Sequence, residues 1–213
     1  MARRALRKID PSLDLSDYYR ELDDGSPRFD LGDFLGRAAP LEVEVGSGKG
    51  LFLQNAAQAL PARNILGIEV SKRYARHAAA GLARRGLANG KMLCGDALAV
   101  FRDLLPDESA AAVHVYFPDP WWKKRHRKRR VMQPEFVRNV QRVLQPLGRL
   151  HFWTDVEEYF HATRELILTA TRLEGPFEVT ELTAEHDLDY RTHFERRMRQ
   201  HGLPVYRAEF RRA

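Results

Sequence analysis

From Pro40 onward, short apolar runs alternate with amphipathic segments, and this alternation limits the chain to an α/β fold. Leu41–Val45 and Ala110–Phe117 are short and almost continuously apolar, as is typical of strands buried on both faces. Lys72–Arg85, bounded by a serine and a glycine, carries the start and stop signals of a helix. Strands that alternate with helices in this way build a parallel sheet covered by helices on both faces.

We expect seven strands in one mostly parallel sheet, within a single domain of residues 36–213. Beyond the two runs above, the predicted strands are Asn64–Val70, Lys91–Cys94, Arg149–Thr154, Phe177–Leu182 and Val205–Phe210. The predicted helices are one that ends near Leu60, Lys72–Arg85, Pro134–Leu144 and Val156–Arg172. Residues 1–35 are polar and weakly periodic, and we expect them to form a short, mobile or loosely packed N-terminal arm.

The positive charge of the chain is concentrated in one short run. The chain has 35 Lys and Arg against 29 Asp and Glu. The run Lys123–Arg130 (KKRHRKRR) holds seven Lys and Arg and no acid, and the rest of the chain is almost neutral. A weaker excess lies in Tyr190–Ala213, which has seven arginines and two glutamates. A concentrated basic patch suits a polyanion, because counterions are released when phosphates are neutralised.

Length and composition argue against a membrane protein, a secreted protein and a protein held together by disulfides or metal ions. A length of 213 residues suits one domain, and 44% hydrophobic residues suffice for a core. No apolar stretch is long enough for a membrane span, and no apolar signal segment follows the basic start of the chain. With Cys94 as the only cysteine and no ligand spacing among the eight histidines, we expect no disulfide, no metal and a reducing cytoplasm.

Three glycines, Gly46, Gly48 and Gly50, follow the first predicted strand, where a parallel sheet binds its ligands. A phosphate-binding P-loop is excluded, because Lys49 is followed by glycine instead of Ser or Thr. A dinucleotide fingerprint fits poorly, because Leu51 stands where its third glycine belongs. A plain tight turn between strand and helix stays possible. The remaining pattern, acidic-x-Gly-x-Gly-x-Gly, resembles motif I of Rossmann-like S-adenosylmethionine methyltransferases.

A carboxylate stands at the end of each of three successive strands. Glu44 ends the first strand, Glu69 ends the second and Asp96 follows the third. A carboxylate in the position of Glu69 can accept both hydroxyls of a ribose, and Asp96 can meet the edge of an adenine. Each acid alone is typical of a solvated loop. Together they favour one adenosyl ligand, and we predict S-adenosylmethionine.

The loop after the fourth strand fixes an acid between two prolines. Pro118 and Pro120 restrict the backbone on both sides of Asp119, so its carboxylate is held in place. Trp121 and Trp122 offer flat surfaces beside the basic run, as expected where a base stacks. The alternatives are a pair of core tryptophans followed by a solvated basic face, and a nuclear-import signal.

The segment Phe117–Trp121 (FPDPW), followed by the run Lys123–Arg130, resembles the signature of the bacterial tRNA (guanine-N7-)-methyltransferases. Two further pieces of that family's pattern are Thr154-Asp155 and Thr192–Arg197 (THFERR). The resemblance extends from Leu41 to Phe210. It implies a Rossmann-like methyltransferase whose substrate is the guanosine at nucleotide 46, in the variable loop of tRNA.

The family's residues carry over by motif. The implied cofactor contacts are Glu44, Gly46, Gly48, Glu69, Asp96 and Asp119, with Asp119 as the catalytic residue. The implied substrate contacts are Lys123, Asp155, Thr192, His193, Phe194 and Glu195. The implied RNA contacts are Arg125, His126, Arg127, Lys128, Arg129 and Arg130. Both monomers and homodimers occur among such proteins, so the resemblance leaves the oligomeric state open.

Two other functions stay open at the level of sequence. An RNA-binding protein that kept the fold and lost the chemistry is disfavoured by the intact acids Glu44, Glu69, Asp96 and Asp119, and cofactor binding would distinguish it. A dehydrogenase on the same fold is disfavoured by Leu51 and by a basic loop that no small substrate needs.

Overall fold

A computed structural model describes residues 6, 8–22, 29–121, 125, 129–180 and 190–213 of the chain. Within these residues, eight strands form one sheet in the order β1-β4-β3-β2-β5-β6-β8-β7. The strands are β1 (Tyr19–Glu21), β2 (Leu41–Val45), β3 (Asn64–Glu69), β4 (Gly90–Cys94), β5 (Ala110–Tyr116), β6 (Leu144–Thr154), β7 (Glu174–Phe177) and β8 (Tyr206–Arg211). The strands from β1 to β6 pair in parallel, and β8 pairs antiparallel with β6 and β7.

Helices cover both faces of the sheet. They are α1 (Leu31–Leu35), α2 (Leu51–Ala59), α3 (Lys72–Arg85), α4 (Ala97–Ala99), α5 (Pro134–Val143), α6 (Glu157–Ala170) and α7 (His193–Gln200), and α4 continues into a π-helical turn, Val100–Leu104. One apolar core packs Phe101 and Phe136 against the sheet, and a second contains Phe52, Ala78 and Trp153. The prediction of an α/β domain with a mostly parallel sheet is therefore confirmed.

The last strands differ most from the sequence prediction. The chain pairs at Glu174–Phe177, residues 178–180 of the predicted strand Phe177–Leu182 are not in a strand, and its last two residues lie outside the described part. Glu174 pairs with Arg211 and Phe177 with Glu209, so partner strand β8 sets this position. A glycine and a proline within β7 hide it from a search for apolar periodicity.

The N-terminal segment also differs from the loose packing expected of it. β1 adds the eighth strand by pairing Tyr19 with Met92 of β4, and Lys91 Nζ donates to the Asp17 carbonyl oxygen at 2.7 Å. Leu15 and Phe34 are buried. This short edge strand has polar residues, so it lacks the apolar pattern on which the sequence prediction depends.

None of the helices in the described residues is both long and apolar enough to cross a membrane.

Candidate active site

The candidate site lies where the carboxyl ends of five parallel strands meet. Glu44 and Glu69 stand at the ends of β2 and β3, and Asp96, Asp119 and Asp155 follow β4, β5 and β6. Neighbouring strands β2 and β5 continue to opposite sides of the sheet, β2 towards β3 and β5 towards β6. Open α/β sheets bind ligands at such a switch point. The structure therefore places five of the six predicted site carboxylates at one edge of the sheet.

The three glycines of the first turn have two different tasks. Gly46, Gly48 and Gly50 all have positive φ angles, of 77°, 54° and 77°. A Cβ atom at Gly46 or Gly48 would meet nothing within 4 Å, so the backbone there is open to a ligand. A Cβ atom at Gly50 would lie 2.6 Å from the Cβ of Ala78, so this glycine lets α2 pack closely on α3.

Glu69 is tied to the same turn. Its Oε2 accepts a hydrogen bond from the backbone N–H of Gly48 at 2.8 Å, and its Oε1 accepts from Ser71 N–H at 2.8 Å. A carboxylate oxygen has two lone pairs, so each oxygen can still accept from a ligand hydroxyl. The next residue, Val70, is 77% exposed and offers an apolar surface beside the carboxylate. This combination suits a ribose with a base attached.

Glu44 is a buried acid without a full set of partners. Its side chain is 3% exposed, and its Oε2 has no hydrogen-bond partner among the described residues. Burial raises the pKa of Glu44 to about 7, and the neighbouring Glu69 carboxylate adds to the effect. A ligand ammonium at this point would satisfy the orphan oxygen and favour the ionised carboxylate.

Asp96 combines a structural and an exposed position. Its Oδ1 accepts from Leu98 N–H at 3.0 Å and thereby caps α4. The side chain is exposed at the ligand edge. The cap fixes one carboxylate oxygen of Asp96 to the backbone at the end of β4.

Asp119 lies in a loop with two strained anchor points. Phe117 and Trp121, which flank the Pro118-Asp119-Pro120 segment, have positive φ angles of 51° and 41°. A bulky side chain rarely adopts this backbone region, and such strain persists only where neighbouring contacts maintain it. Asp119 itself is exposed. The carboxylate of Asp119 is thus exposed on a loop whose flanking residues are held at positive φ angles.

The basic run is described only in part. Predicted contacts Lys123, His126, Arg127 and Lys128 lie outside the described residues. Arg125 and Arg129 are exposed, and the Arg129 guanidinium lies 5.2 Å from the centre of the Trp121 ring. Arg130 differs from them, since it is partly buried and its Nε donates to the Pro120 carbonyl oxygen at 2.6 Å.

The predicted substrate contacts from Thr192 to Glu195 form the start of α7, a helix that the sequence analysis did not predict. Thr192 Oγ1 accepts from Glu195 N–H at 3.0 Å, and Glu195 Oε2 accepts from Arg191 N–H at 2.7 Å. The buried Glu195 Oε1 also contacts Arg199 at 3.4 Å and Arg207 at 3.3 Å. The Thr-x-x-Glu spacing is the signature of a capping box, which could have revealed this helix.

The α7 helix approaches the Asp119 loop through aromatic rings. The ring centres of Phe194 and Phe117 lie 4.8 Å apart. His193 is exposed and Thr192 is partly buried at the same end of the helix. The structure therefore brings the Thr192–Glu195 segment into contact with Phe117, two residues before Asp119. A site that contains both the segment and Asp119 requires this proximity.

We expect Glu195→Gln to destabilise the fold. The amide cannot balance Arg199 and Arg207, and breaking a buried ion pair on one side costs about 3–5 kcal/mol. Urea unfolding of Glu195→Gln and of Glu165→Gln, an exposed acid on α6, would measure the difference. A loss below about 1 kcal/mol for Glu195→Gln would contradict a structural role for this carboxylate.

A buried polar row behind the site escaped the sequence analysis. His114 lies between Glu42 Oε2 and the hydroxyl of Tyr116, with 2.9 Å from a ring nitrogen to each. Arg191 Nη1 lies 3.4 Å from the same hydroxyl, and its guanidinium is 5.4 Å from the ring centre of Trp153. Burial lowers the pKa of His114. The signal available in the sequence was the pair of polar residues, His114 and Tyr116, at alternate positions within the otherwise apolar strand β5.

Possible metal ligands were compared across the described residues. Among them, no group of three or more His, Cys, Asp or Glu side chains is arranged to hold an ion.

The fold and the edge of glycines and carboxylates define a methyltransferase of the Rossmann-like class. A family model described as "putative methyltransferase" matches residues 38–208. The crystal structure of the 16S rRNA methyltransferase KamB has a TM-score of 0.63 at 16% identity, over 88% of this chain and 95% of that one. A 16S rRNA (adenine(1408)-N(1))-methyltransferase from Catenulisporales acidiphilia has a TM-score of 0.56 at 18% identity, over 84% and 88%. At these identities the likeness establishes the fold alone.

The chain belongs to the tRNA (guanine-N7-)-methyltransferase family. The relative of that name from Rhodopirellula baltica is 50% identical over all of this chain and 80% of its own length. The relative from Cupriavidus necator is 40% identical over 83% of this chain and 68% of its own. Both names agree with the resemblance in the FPDPW segment and the basic run.

Proposed function

We propose that this protein transfers a methyl group from S-adenosylmethionine to N7 of the guanosine at nucleotide 46 of tRNA, in the cytoplasm. The observation that carries the proposal is the buried, half-satisfied carboxylate of Glu44 beside the open backbone of Gly46 and Gly48, at the same sheet edge as Asp119. The membership of the chain in the tRNA (guanine-N7-)-methyltransferase family supports the choice of substrate.

The residues present fit this cofactor. Glu44 and the glycine turn would hold its ammonium and carboxylate end, with Gly46 and Gly48 allowing close approach. Glu69 would accept the ribose hydroxyls, and Asp96 would meet the adenine. When bound, the cofactor supplies an electrophilic sulfonium methyl group. A protein site for it needs acceptors for several hydroxyl and amine groups, and the carboxylates at the strand ends provide them.

Guanine N7 has an in-plane lone pair, so the reaction needs no strong base. The main task of the site is to hold the nucleophile in line with the methyl group, and such positioning can contribute about 7–11 kcal/mol. We propose that Asp119 accepts hydrogen bonds from guanine N1–H and the exocyclic amine. The same carboxylate then stabilises the positive charge that arrives on the ring.

The RNA is proposed to lie along the basic run and α7. The proposed substrate contacts are Asp155, Thr192, His193 and Phe194, with the buried Glu195 holding the start of α7 from inside, and the proposed basic contacts are Lys123 and Arg125–Arg129. N7 faces the deep, narrow major groove in A-form helices, so a nucleotide in an irregular loop is more accessible than one in a stem. A tRNA variable loop meets this requirement.

Incubation with tritium-labelled S-adenosylmethionine and unmodified tRNA, followed by borohydride and aniline cleavage, tests the reaction, the atom and the site together. We expect label in the RNA and one cut in the variable loop, at nucleotide 46. Label with a cut elsewhere would contradict the position. Cofactor binding without transfer to any tRNA would favour an RNA-binding protein that has lost its chemistry.

The exposed arginines Arg125 and Arg129 are expected to contact phosphates. Each charge-removing change, Arg125→Gln or Arg129→Gln, should reduce the slope of log K against log salt by about 0.7–0.9, because one fewer counterion is released. The affinity for S-adenosylmethionine should stay unchanged. Titration of tRNA binding between 50 and 300 mM salt, by filter binding, measures the slope. An unchanged slope for both variants would remove these residues from the RNA site.

A further inference from the structure

Arg130 is arranged differently from the other described members of the basic run. Its Nε donates to the Pro120 carbonyl oxygen, ten residues earlier, at 2.6 Å. Its guanidinium carbon lies 4.9 Å from the centre of the Tyr159 ring. Arg125 and Arg129 are exposed, whereas Arg130 is partly buried. The guanidinium of Arg130 thus contacts groups of the protein itself, and these contacts hold it without a bound phosphate.

The contacts of Arg130 join the loop to the rigid body of the domain. Tyr159, from α6, is buried, and its ring packs edge-on against Phe152 of β6 with 6.0 Å between ring centres. The carbonyl oxygen of Arg130 accepts from Gln133 Nε2 at 3.0 Å, immediately before α5. Arg130 therefore connects the start of the basic loop, at Pro120, to packed elements on the other side.

The carbonyl group that Arg130 holds lies directly between Asp119 and Trp121. This carbonyl group belongs to the peptide unit between Pro120 and Trp121, so fixing it restricts the backbone one residue after Asp119 and supports the unfavourable positive φ of Trp121. Burial raises the pKa of Tyr159 to about 12, the Arg130 cation opposes this shift and the Asp119 carboxylate adds to it. Asp119 thus lies within electrostatic range of the same cluster.

We propose that Arg130 is a positioning residue for Asp119, and that it does not bind an RNA phosphate. The inference deepens the proposed function, since it depends on Asp119 as the carboxylate that orients the guanine. A planar guanidinium is needed, because it stacks on Tyr159 while its Nε donates to the carbonyl group. A lysine at this position would keep the charge and lose this geometry.

The first test separates positioning from phosphate binding in the holoprotein. For Arg130→Lys and Arg130→Gln, we expect kcat for tRNA methylation to fall by about 10–100-fold, with the tRNA Kd and its salt slope unchanged. Arg129→Gln should show the opposite pattern, a lower salt slope. Arg138→Lys, an exposed arginine on α5, is the matched control and should behave as wild type. A phosphate contact would instead give a slope lower by about 0.7–0.9 in Arg130→Gln, and recovery in Arg130→Lys. That outcome would overturn the proposal.

Tyr159 provides an independent check on the same arrangement. Tyr159→Phe keeps the ring and should retain the wild-type kcat, whereas Tyr159→Leu should reproduce the loss seen in Arg130→Lys. Combining Tyr159→Leu with Arg130→Lys should add little further loss, because both remove one contact. Fully multiplicative losses would contradict a shared role. Circular dichroism and thermal unfolding identify any variant that fails to fold. If Tyr159→Leu fails to fold, the kcat of Tyr159→Phe is compared with that of Arg130→Lys instead.

The second test needs neither RNA nor activity, so it separates this inference from the proposed function. In ¹⁵N NMR spectra of the free protein, the Nε–H of Arg130, assigned by its loss in Arg130→Lys, should exchange with water more slowly than that of Arg138. Adding tRNA should not change it. Rapid exchange in the free protein, with protection appearing only on addition of tRNA, would overturn the proposal even if wild type methylates tRNA. Protection in a wild-type protein that does not methylate would leave the contact intact and refute the function.

Discussion

Asp119→Asn is expected to reduce kcat for tRNA methylation by about 10²–10³-fold while the tRNA Kd stays within about twofold of wild type. Asparagine keeps the size of the side chain and removes its charge. It can accept one hydrogen bond from guanine, and its amide group opposes the donors N1–H and the exocyclic amine. Removing one preorganised electrostatic group from an active site typically costs a factor of this size.

The measurement is single-turnover transfer of tritiated methyl groups, with cofactor and tRNA both saturating. Glu158→Gln, an exposed acid on α6, is the control for a general effect of lost negative charge. The salt slope of tRNA binding should be the same in all three proteins, because Asp119 neutralises no phosphate. Full turnover in Asp119→Asn would show that Asp119 does not orient the guanine. Loss of tRNA binding with normal kcat would place it in the binding surface instead.

The strands and the common edge of glycines and carboxylates were predictable because their signals are local. Buried parallel strands such as Ala110–Tyr116 are apolar throughout, and a glycine turn is written in consecutive residues. The carboxylates at the ends of β2, β3 and β4 follow from the strand positions alone. A parallel sheet places all these ends at one edge, so the sequence needs no long-range information to predict that Glu44, Glu69 and Asp96 share it.

The parts that could not be predicted depend on contacts between distant residues. β1 is a strand only because β4 offers it an edge, as the pair Tyr19 and Met92 shows. Arg130 stands within a run of cations and looks like its neighbours until Pro120 and Tyr159 are placed beside it. The sequence gives the charge of a side chain, but it does not show which group forms a hydrogen bond or an ion pair with that charge.

Glu44 shows the same limit for ionisation. The sequence identifies an acid at the end of a strand, and only the fold reveals that burial raises its pKa to about 7. An acid whose pKa is raised in the folded state lowers stability once the unfolded chain ionises. The stability penalty therefore starts above the ordinary pKa of 4.5 and becomes complete as the pH rises through about 7. A ligand that brings a positive charge to the carboxylate reverses this penalty.

We therefore expect the affinity for S-adenosylmethionine to rise about tenfold between pH 6 and pH 8. At pH 6 most of the free protein holds a protonated Glu44, which must lose its proton before it can pair with the ligand ammonium, and one pH unit below the pKa costs a factor of about ten. Isothermal titration calorimetry in two buffers of different ionisation enthalpy measures both the Kd and the proton released. Glu44→Gln should bind at least tenfold more weakly at pH 8 and show a flat pH profile.

The stability of the free protein provides the reciprocal measurement. Between pH 5 and pH 8, wild type should lose about 2–3 kcal/mol of unfolding free energy relative to Glu44→Gln, because only wild type must bury a new charge. Urea unfolding at each pH gives this difference, and comparing the two pH dependences cancels the cost of burying the amide. Saturating S-adenosylmethionine should reduce the wild-type loss, since the bound cation favours the ionised carboxylate. A wild-type affinity independent of pH, together with parallel stability profiles, would mean that Glu44 is already ionised in the free protein, and wild-type affinity in Glu44→Gln at pH 8 would mean that its partner is not the ligand.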